Sequence, residues 1–102
     1  MKNIVLFCTG GMSTGILVNN IRQKILERGL EYEINAYSEV EADTYGPAAD
    51  VILVGPQVSY VLDELRQKFP DVPVECIDVE TYSLMKGEDV LDRCVELLEG
   101  EE

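Results

Sequence analysis

Cys8 is the residue best placed to do chemistry. It ends the apolar, β-rich run Asn3–Phe7 and is followed by Thr9, Gly10, Gly11, Met12, Ser13 and Thr14. From about Thr14, apolar residues recur at helical spacing, so the thiol stands between a strand and a helix N-terminus. The positive end of a helix dipole favours a thiolate and any anion bound beside it. Gly10 and Gly11 permit successive backbone N–H groups to turn inward as an anion nest. Thr9, Ser13 and Thr14 add hydroxyl donors, and Gly15 lets the backbone approach closely. A cysteine before a plain glycine turn would be a small buried hydrophobe. The concentration of glycines, hydroxyls and a helix start within Cys8–Thr14 points instead to a nucleophile that takes and holds a phosphate ester.

The rest of the composition narrows the chemistry. The chain has no histidine, which removes Ser–His and Cys–His catalysis and His-based metal sites. No metal and no cofactor is expected. The formal charge is -12, from 8 Lys+Arg against 20 Asp+Glu. That argues against nucleic acid, whose phosphates demand a basic face, and against an anionic membrane surface. The bases of the first thirty residues, Lys2, Arg22, Lys24 and Arg28, stand against Glu27 alone but lie mostly late in the helix. An anion at Cys8 is therefore held by backbone N–H groups and not by arginine forks, which suits a phosphate that is handed on. The three cysteines form no C-x-x-C pair and fit a reducing cytosol. Cys76, in a strand, and Cys94, on an apolar helix face, read as core packing.

The elements that must position Cys8 alternate regularly. Asn3–Phe7 reads as a strand. Leu17, Ile21 and Ile25, with Val18 and Leu26 beside them, predict a helix stopped at Gly29. Tyr32–Tyr37 alternates as a second strand. Ser38 with Glu41 is a capping box for a short helix ending near Gly46-Pro47. Asp50–Val54 is a third strand, broken by Gly55-Pro56. Val58, Val61, Leu62, Leu65 and Phe69 predict an amphipathic helix ended by Pro70. Val72–Ile77 is a fourth strand, Thr81–Met85 a helical turn stopped at Gly87, and Val90, Leu91, Cys94, Val95 and Leu98 one face of a last helix. The uncharged run Asn3–Ile21 is interrupted by glycine and polar residues, so it is expected neither to insert in a membrane nor to act as a cleaved signal.

A chain of 102 residues with 46% hydrophobic content is expected to form one domain, 1–102, with residues 99–102 as a solvated tail. The expected fold class is α/β: a single open four-stranded parallel sheet, order 2-1-3-4, with helices on both faces, related to flavodoxin-like folds. In such a sheet ligands sit at the carboxyl ends of the strands where the order reverses. Here that is between strands 1 and 3, at the loops Cys8–Ser13 and Gly55–Ser59. The uncharged run also predicts an apolar rim around Cys8, with Met12 exposed as an adaptable contact.

The segment Leu6–Thr14 (LFCTGGMST) resembles the phosphocysteine loop of the IIB component of bacterial sugar phosphotransferase systems, lactose/cellobiose/chitobiose class. Ala49–Gln57 followed by Tyr60, and Pro73–Asp78 with Tyr82, resemble further blocks of that family at similar spacing. The resemblance spans nearly the whole chain. It implies a cytoplasmic phosphotransferase whose Cys8 accepts phosphate from the phosphohistidine of a IIA component. It further implies delivery to a sugar, of the cellobiose or chitobiose kind, held by the membrane IIC component. Thr9, Gly10, Gly11, Met12, Ser13 and Thr14 carry over as the phosphate-cradling loop. Gln57 and Tyr82 are candidates for contacting the phosphate or a partner. Low-molecular-weight tyrosine phosphatases share the strand–loop–helix, but their C-x5-R loop needs an arginine where this chain has Thr14. Response-regulator receivers need an aspartate after strand 3, where this chain has Val54-Gly55-Pro56. A noncatalytic α/β binding module would leave Cys8 unphosphorylated.

Overall fold

The computed structural model describes residues 1–9 and 12–100, and for Met12 and Ser13 the backbone alone. Gly10, Gly11, the side chains of Met12 and Ser13, and Glu101–Glu102 of the tail lie outside the described residues, as does the expected exposure of Met12. Strand β1 (Lys2–Cys8) is buried from Ile4 to Cys8. A strand this apolar on both faces requires a covering layer on each side. It pairs in parallel with β2 (Tyr32–Ser38) and with β3 (Val51–Val54), and β3 pairs with β4 (Val74–Cys76). The order is β2-β1-β3-β4, as expected. Alternate side chains feed two cores. Ile4 and Leu6 meet Leu17, Ile21 and Ile25 of α1 (Met12–Arg28), Tyr82 of α4 (Val79–Ser83), and Val90, Leu91 and Cys94 of α5 (Gly87–Glu99). Val5 and Phe7 meet Ala42 of α2 (Ala42–Tyr45) and Leu65 of α3 (Leu62–Lys68).

Several boundaries differ from the sequence reading, each for a local reason. Helix α1 starts at Met12 and not at Thr14. Its first turn has no apolar stripe, and its first N–H groups need no intrahelical acceptor, so periodicity alone misses the start. Leu26 is exposed, because the stripe Leu17–Ile21–Ile25 already fills the core face. The helix ends as predicted. Gly29 has φ +66°, Leu30 N–H donates to the Ile25 carbonyl, and Gly29 N–H to that of Leu26, both at 3.1 Å. The Ser38–Glu41 capping box also forms, around a 3-10 turn over Glu39–Glu41.

The helix expected over Val58–Phe69 is instead a 3-10 segment, Pro56–Val61, followed by α3. Val58 leaves helical geometry at φ -122°, ψ 30°, and its side chain is fully buried in the core beneath β3. Strand β4 is shorter than Val72–Ile77 because Pro73 has no N–H for the ladder, although its carbonyl accepts from Ile52 N–H at 2.9 Å. Helix α4 starts at Val79, capped by Asp78, and stops where Met85 turns the chain at φ 54°. Gly87 opens the last helix and does not merely stop the previous one. A Cβ there would stand 3.0 Å from Asn20 Cβ and 3.1 Å from Ile21 N, so α5 starts against the backbone of α1.

Both sheet edges are covered by arginine. Arg22 donates to the Ile34 carbonyl and to Asn35 Oδ1, each at 2.9 Å, and Arg66 Nε donates to the Val74 carbonyl at 3.0 Å. A charged donor on an edge carbonyl blocks pairing with another chain. Among the described residues, no helix is long and apolar enough to cross a membrane.

Two buried acids predict an alkaline limit to stability. Burial pushes the Cys94 thiol up from 9.0 to about 12. Burial first, then a 2.5 Å hydrogen bond to Glu99, raises the Tyr32 phenol from 10.0 to about 12. Both groups hold their protons more tightly in the folded state, so their contribution is intact below pH 9 and is lost as pH rises towards 12. The denaturation midpoint should fall across this window, and Cys94→Ala should flatten the fall that begins near pH 9. A midpoint constant up to pH 12 would contradict this.

Candidate active site around Cys8

Cys8 is the last residue of β1. It pairs in register with Ser38, the last residue of β2, while Gly55 after β3 donates its N–H to the Phe7 carbonyl at 2.9 Å. The thiol therefore stands at the carboxyl edge of the sheet, where the chain order reverses. Cys8 is 1% exposed, and its Sγ is 3.9 Å from the Tyr37 carbonyl. It lines a cavity of about 290 Å³ with Thr14, Gly15, Ala36, Tyr37, Ser38 and Glu41. A larger cavity, about 530 Å³, lies between α1 and the α4–α5 connection, away from any thiol. The chemistry therefore singles out the smaller one.

None of the described residues lining the Cys8 cavity is a cation. Arg22 is committed to β2, Lys24 lies 3.4 Å from Glu27, and Arg28 lies 2.7 Å from Asp92. The rim, however, is not uniformly apolar. The pairing of Cys8 with Ser38 brings the capping-box segment alongside, so Glu39 and Glu41 stand near exposed Val40 and Tyr60. The Tyr60 hydroxyl donates to Glu39 at 3.4 Å.

Of the other residues expected at the site, Thr9 follows Cys8 as an exposed bend. Thr14 lies in the first turn of α1, only 3% exposed, with its hydroxyl hydrogen-bonded to that of Tyr82. Gly15 is exposed, and a Cβ there would meet none of the described atoms within 4 Å, so its role is open space and not close approach. Gln57 is exposed but folded back: its Oε1 is 2.6 Å from the point where a Gly55 Cβ would sit, and that same point is 3.4 Å from Cys8 Cβ. Gln57 thus reaches the cysteine's rim because residue 55 has no side chain. Tyr82 is buried and approaches from α4.

The sequence reading missed Tyr37, Ser38 and Glu41 as neighbours of the thiol. The predicted strand order held the signal, since it sets the end of strand 2 beside Cys8. Tyr37 is held by stacking on Tyr45, with ring centroids 3.6 Å apart and an interplanar angle of 7°. The remaining cysteines are unsuited to nucleophilic work. Cys94 is fully buried, and burial and then Asp78 raise the Cys76 thiol.

The family model described as PTS system, Lactose/Cellobiose specific IIB subunit matches residues 3–93. A galactose-specific PTS EIIB component of Lactococcus lactis subsp. cremoris (strain MG1363) is 38% identical over 97 residues, covering 88% of this chain and 90% of that one. An oligo-beta-mannoside-specific EIIB component of Bacillus subtilis (strain 168) is 33% identical over 100 residues, covering 96% and 97%. The solution structure of a cellobiose-specific phosphotransferase IIB component from Borrelia burgdorferi superposes with a TM-score of 0.80 at 30% identity, covering 96% of this chain and 92% of that one. A lactose-specific IIB domain from Streptococcus pneumoniae shares the fold, with a TM-score of 0.79 at 17% identity, covering 93% and 95%.

Proposed function

This chain belongs to the lactose/cellobiose-specific IIB subunits of the PTS system, and from that premise we propose that Cys8 is the phosphoryl acceptor of a sugar-uptake relay. The donor is the phosphohistidine of a IIA component. The Cys8 sulfur attacks phosphorus, the P–N bond breaks as the P–S bond forms, and the thiol proton goes to the departing imidazole nitrogen. In the second transfer a sugar hydroxyl, presented by the membrane IIC component, attacks the same phosphorus, and the proton it loses restores the thiol. The sugar is a β-linked disaccharide of the cellobiose or chitobiose kind. The transfers take place on the cytoplasmic side, and residues 1–102 act as one IIB domain.

The observation that carries this reading is the position of Cys8, at the sheet's carboxyl edge on a cavity walled by the first turn of α1. Thr9, Gly10, Gly11, Met12, Ser13 and Thr14 cradle the phosphate, with backbone N–H groups supplying most of the contacts. Gln57 contacts the phosphate or a partner from the rim. The test is mass spectrometry after incubation with phosphorylated IIA component. One added phosphate, mapped to Cys8, is expected; label elsewhere, or none, would overturn the proposal.

The absence of an arginine clamp at position 14 sets a second expectation. A phosphatase loop stabilises its transition state with that cation, whereas here Thr14 occupies the place and turns to Tyr82. Hydrolysis of p-nitrophenyl phosphate should run far below the enzyme median of about 10 per second. Turnover near that median would favour a hydrolase.

A further inference from the structure

We infer that Tyr82 is a positioning residue for the phosphoryl group, acting through the Thr14 hydroxyl; this rests on the reading of Cys8 as the acceptor. Thr14 and Tyr82 are 3% and 5% exposed, and their hydroxyls are bonded to each other across 68 residues of chain. Thr14 walls the cavity that Cys8 lines, whereas Tyr82 does not. Tyr82 therefore influences an anion in that cavity by way of Thr14.

Acidity orders the pair. A phenol, with an ordinary pKa of about 10, is a much stronger hydrogen-bond donor than an aliphatic alcohol. The geometry allows either hydroxyl to donate; in the inferred arrangement Tyr82 donates and Thr14 accepts. Each hydroxyl carries one proton, so the bond from Tyr82 leaves the Thr14 proton free for the cavity. Helical threonine divides between two rotamers, and the buried phenol selects the one that faces it. A phosphoryl dianion on Cys8 then receives a hydrogen bond from Thr14, strengthened by its charge and by the polarising phenol behind it.

The anchor is firm. Helix α4 is fixed at its start by Asp78, which accepts the Thr81 N–H at 3.0 Å and the Thr81 hydroxyl at 2.7 Å. It is fixed at its end by the turn at Met85, whose N–H donates to the Tyr82 carbonyl at 3.1 Å. Tyr82 thus ties the first turn of α1, which walls the cavity, to a separate capped element.

The test is a double-mutant cycle of Tyr82→Phe and Thr14→Val, each close in volume to the residue replaced. Phosphate on Cys8 is measured at equilibrium with phosphorylated and free IIA component, along with the phosphocysteine ³¹P shift. Tyr82→Phe should lower the equilibrium phosphorylation constant about fivefold, the scale of one weakened charge-assisted hydrogen bond, and move the ³¹P resonance. Thr14→Val should lower it at least as much, and adding Tyr82→Phe to Thr14→Val should change nothing further. Thr14→Ser should retain most of the wild-type constant. A Tyr82→Phe variant that loses thermal stability but keeps the wild-type constant and ³¹P shift would overturn the inference, as would effects that multiply in the double variant. Wild-type protein that takes no phosphate on Cys8 would overturn the acceptor reading itself, a separately visible failure.

Discussion

Replacing Cys8 by serine is expected to remove all phosphate label from this chain while the domain remains folded. A serine hydroxyl is a far weaker nucleophile than a cysteine sulfur at neutral pH. The structural cost is small. The residue is 1% exposed, but the exchange is nearly isosteric. A loss of about 1 kcal/mol is the scale for burying one partly satisfied hydroxyl. Intact-mass measurement after incubation with phosphorylated IIA component should show no added phosphate, with an unchanged far-ultraviolet spectrum. Residual label on Cys76 or Cys94 would mean that position does not decide reactivity, since one thiol is raised by burial and the other is inaccessible.

Truncating Leu91 to alanine should have the largest effect on stability. Leu91 is fully buried on α5, in the core that α5 shares with Ile21 of α1 and Leu53 of β3. The expected loss is about 2–5 kcal/mol, transfer and cavity together, against a total of about 5–15 for a domain of this kind. The thermal midpoint should drop by at least about 8 °C. Leu26→Ala, at an exposed position on α1, should change stability by no more than about 0.5 kcal/mol. The α1–α5 contact also supports the site, because α1 carries Thr14. At a temperature where Leu91→Ala is folded, Cys8 should still take phosphate. If Leu91→Ala and Leu26→Ala prove equally stable, the core assigned to α5 is wrong.

The architecture was legible because its signals are local. Runs apolar on both faces, such as Ile4–Phe7 and Val51–Val54, demand a sheet covered on each side. The Leu17–Ile21–Ile25 spacing demands a helix facing that sheet. Gly29 and the Ser38–Glu41 box mark ends through backbone conformation and a bond three residues away. The boundaries that escaped depend on contacts with other elements: the kink at Val58 follows from a side chain seated in the core.

The site divides along the same line. Sequence alone determined that Cys8 would stand at the end of a strand, shortly before a helix, at the sheet's reversal point. Those facts follow from residue type, short-range spacing and the right-handed crossover. Tertiary structure alone decided which residues meet there. It set the phenol of Tyr82 on Thr14, the side chain of Gln57 over Gly55, and Glu41 on the cavity that Cys8 lines. Each of these depends on how one element is placed against another, often far away in the chain. No local periodicity encodes that placement, because it is settled when the two cores close and each buried hydroxyl must find its partner.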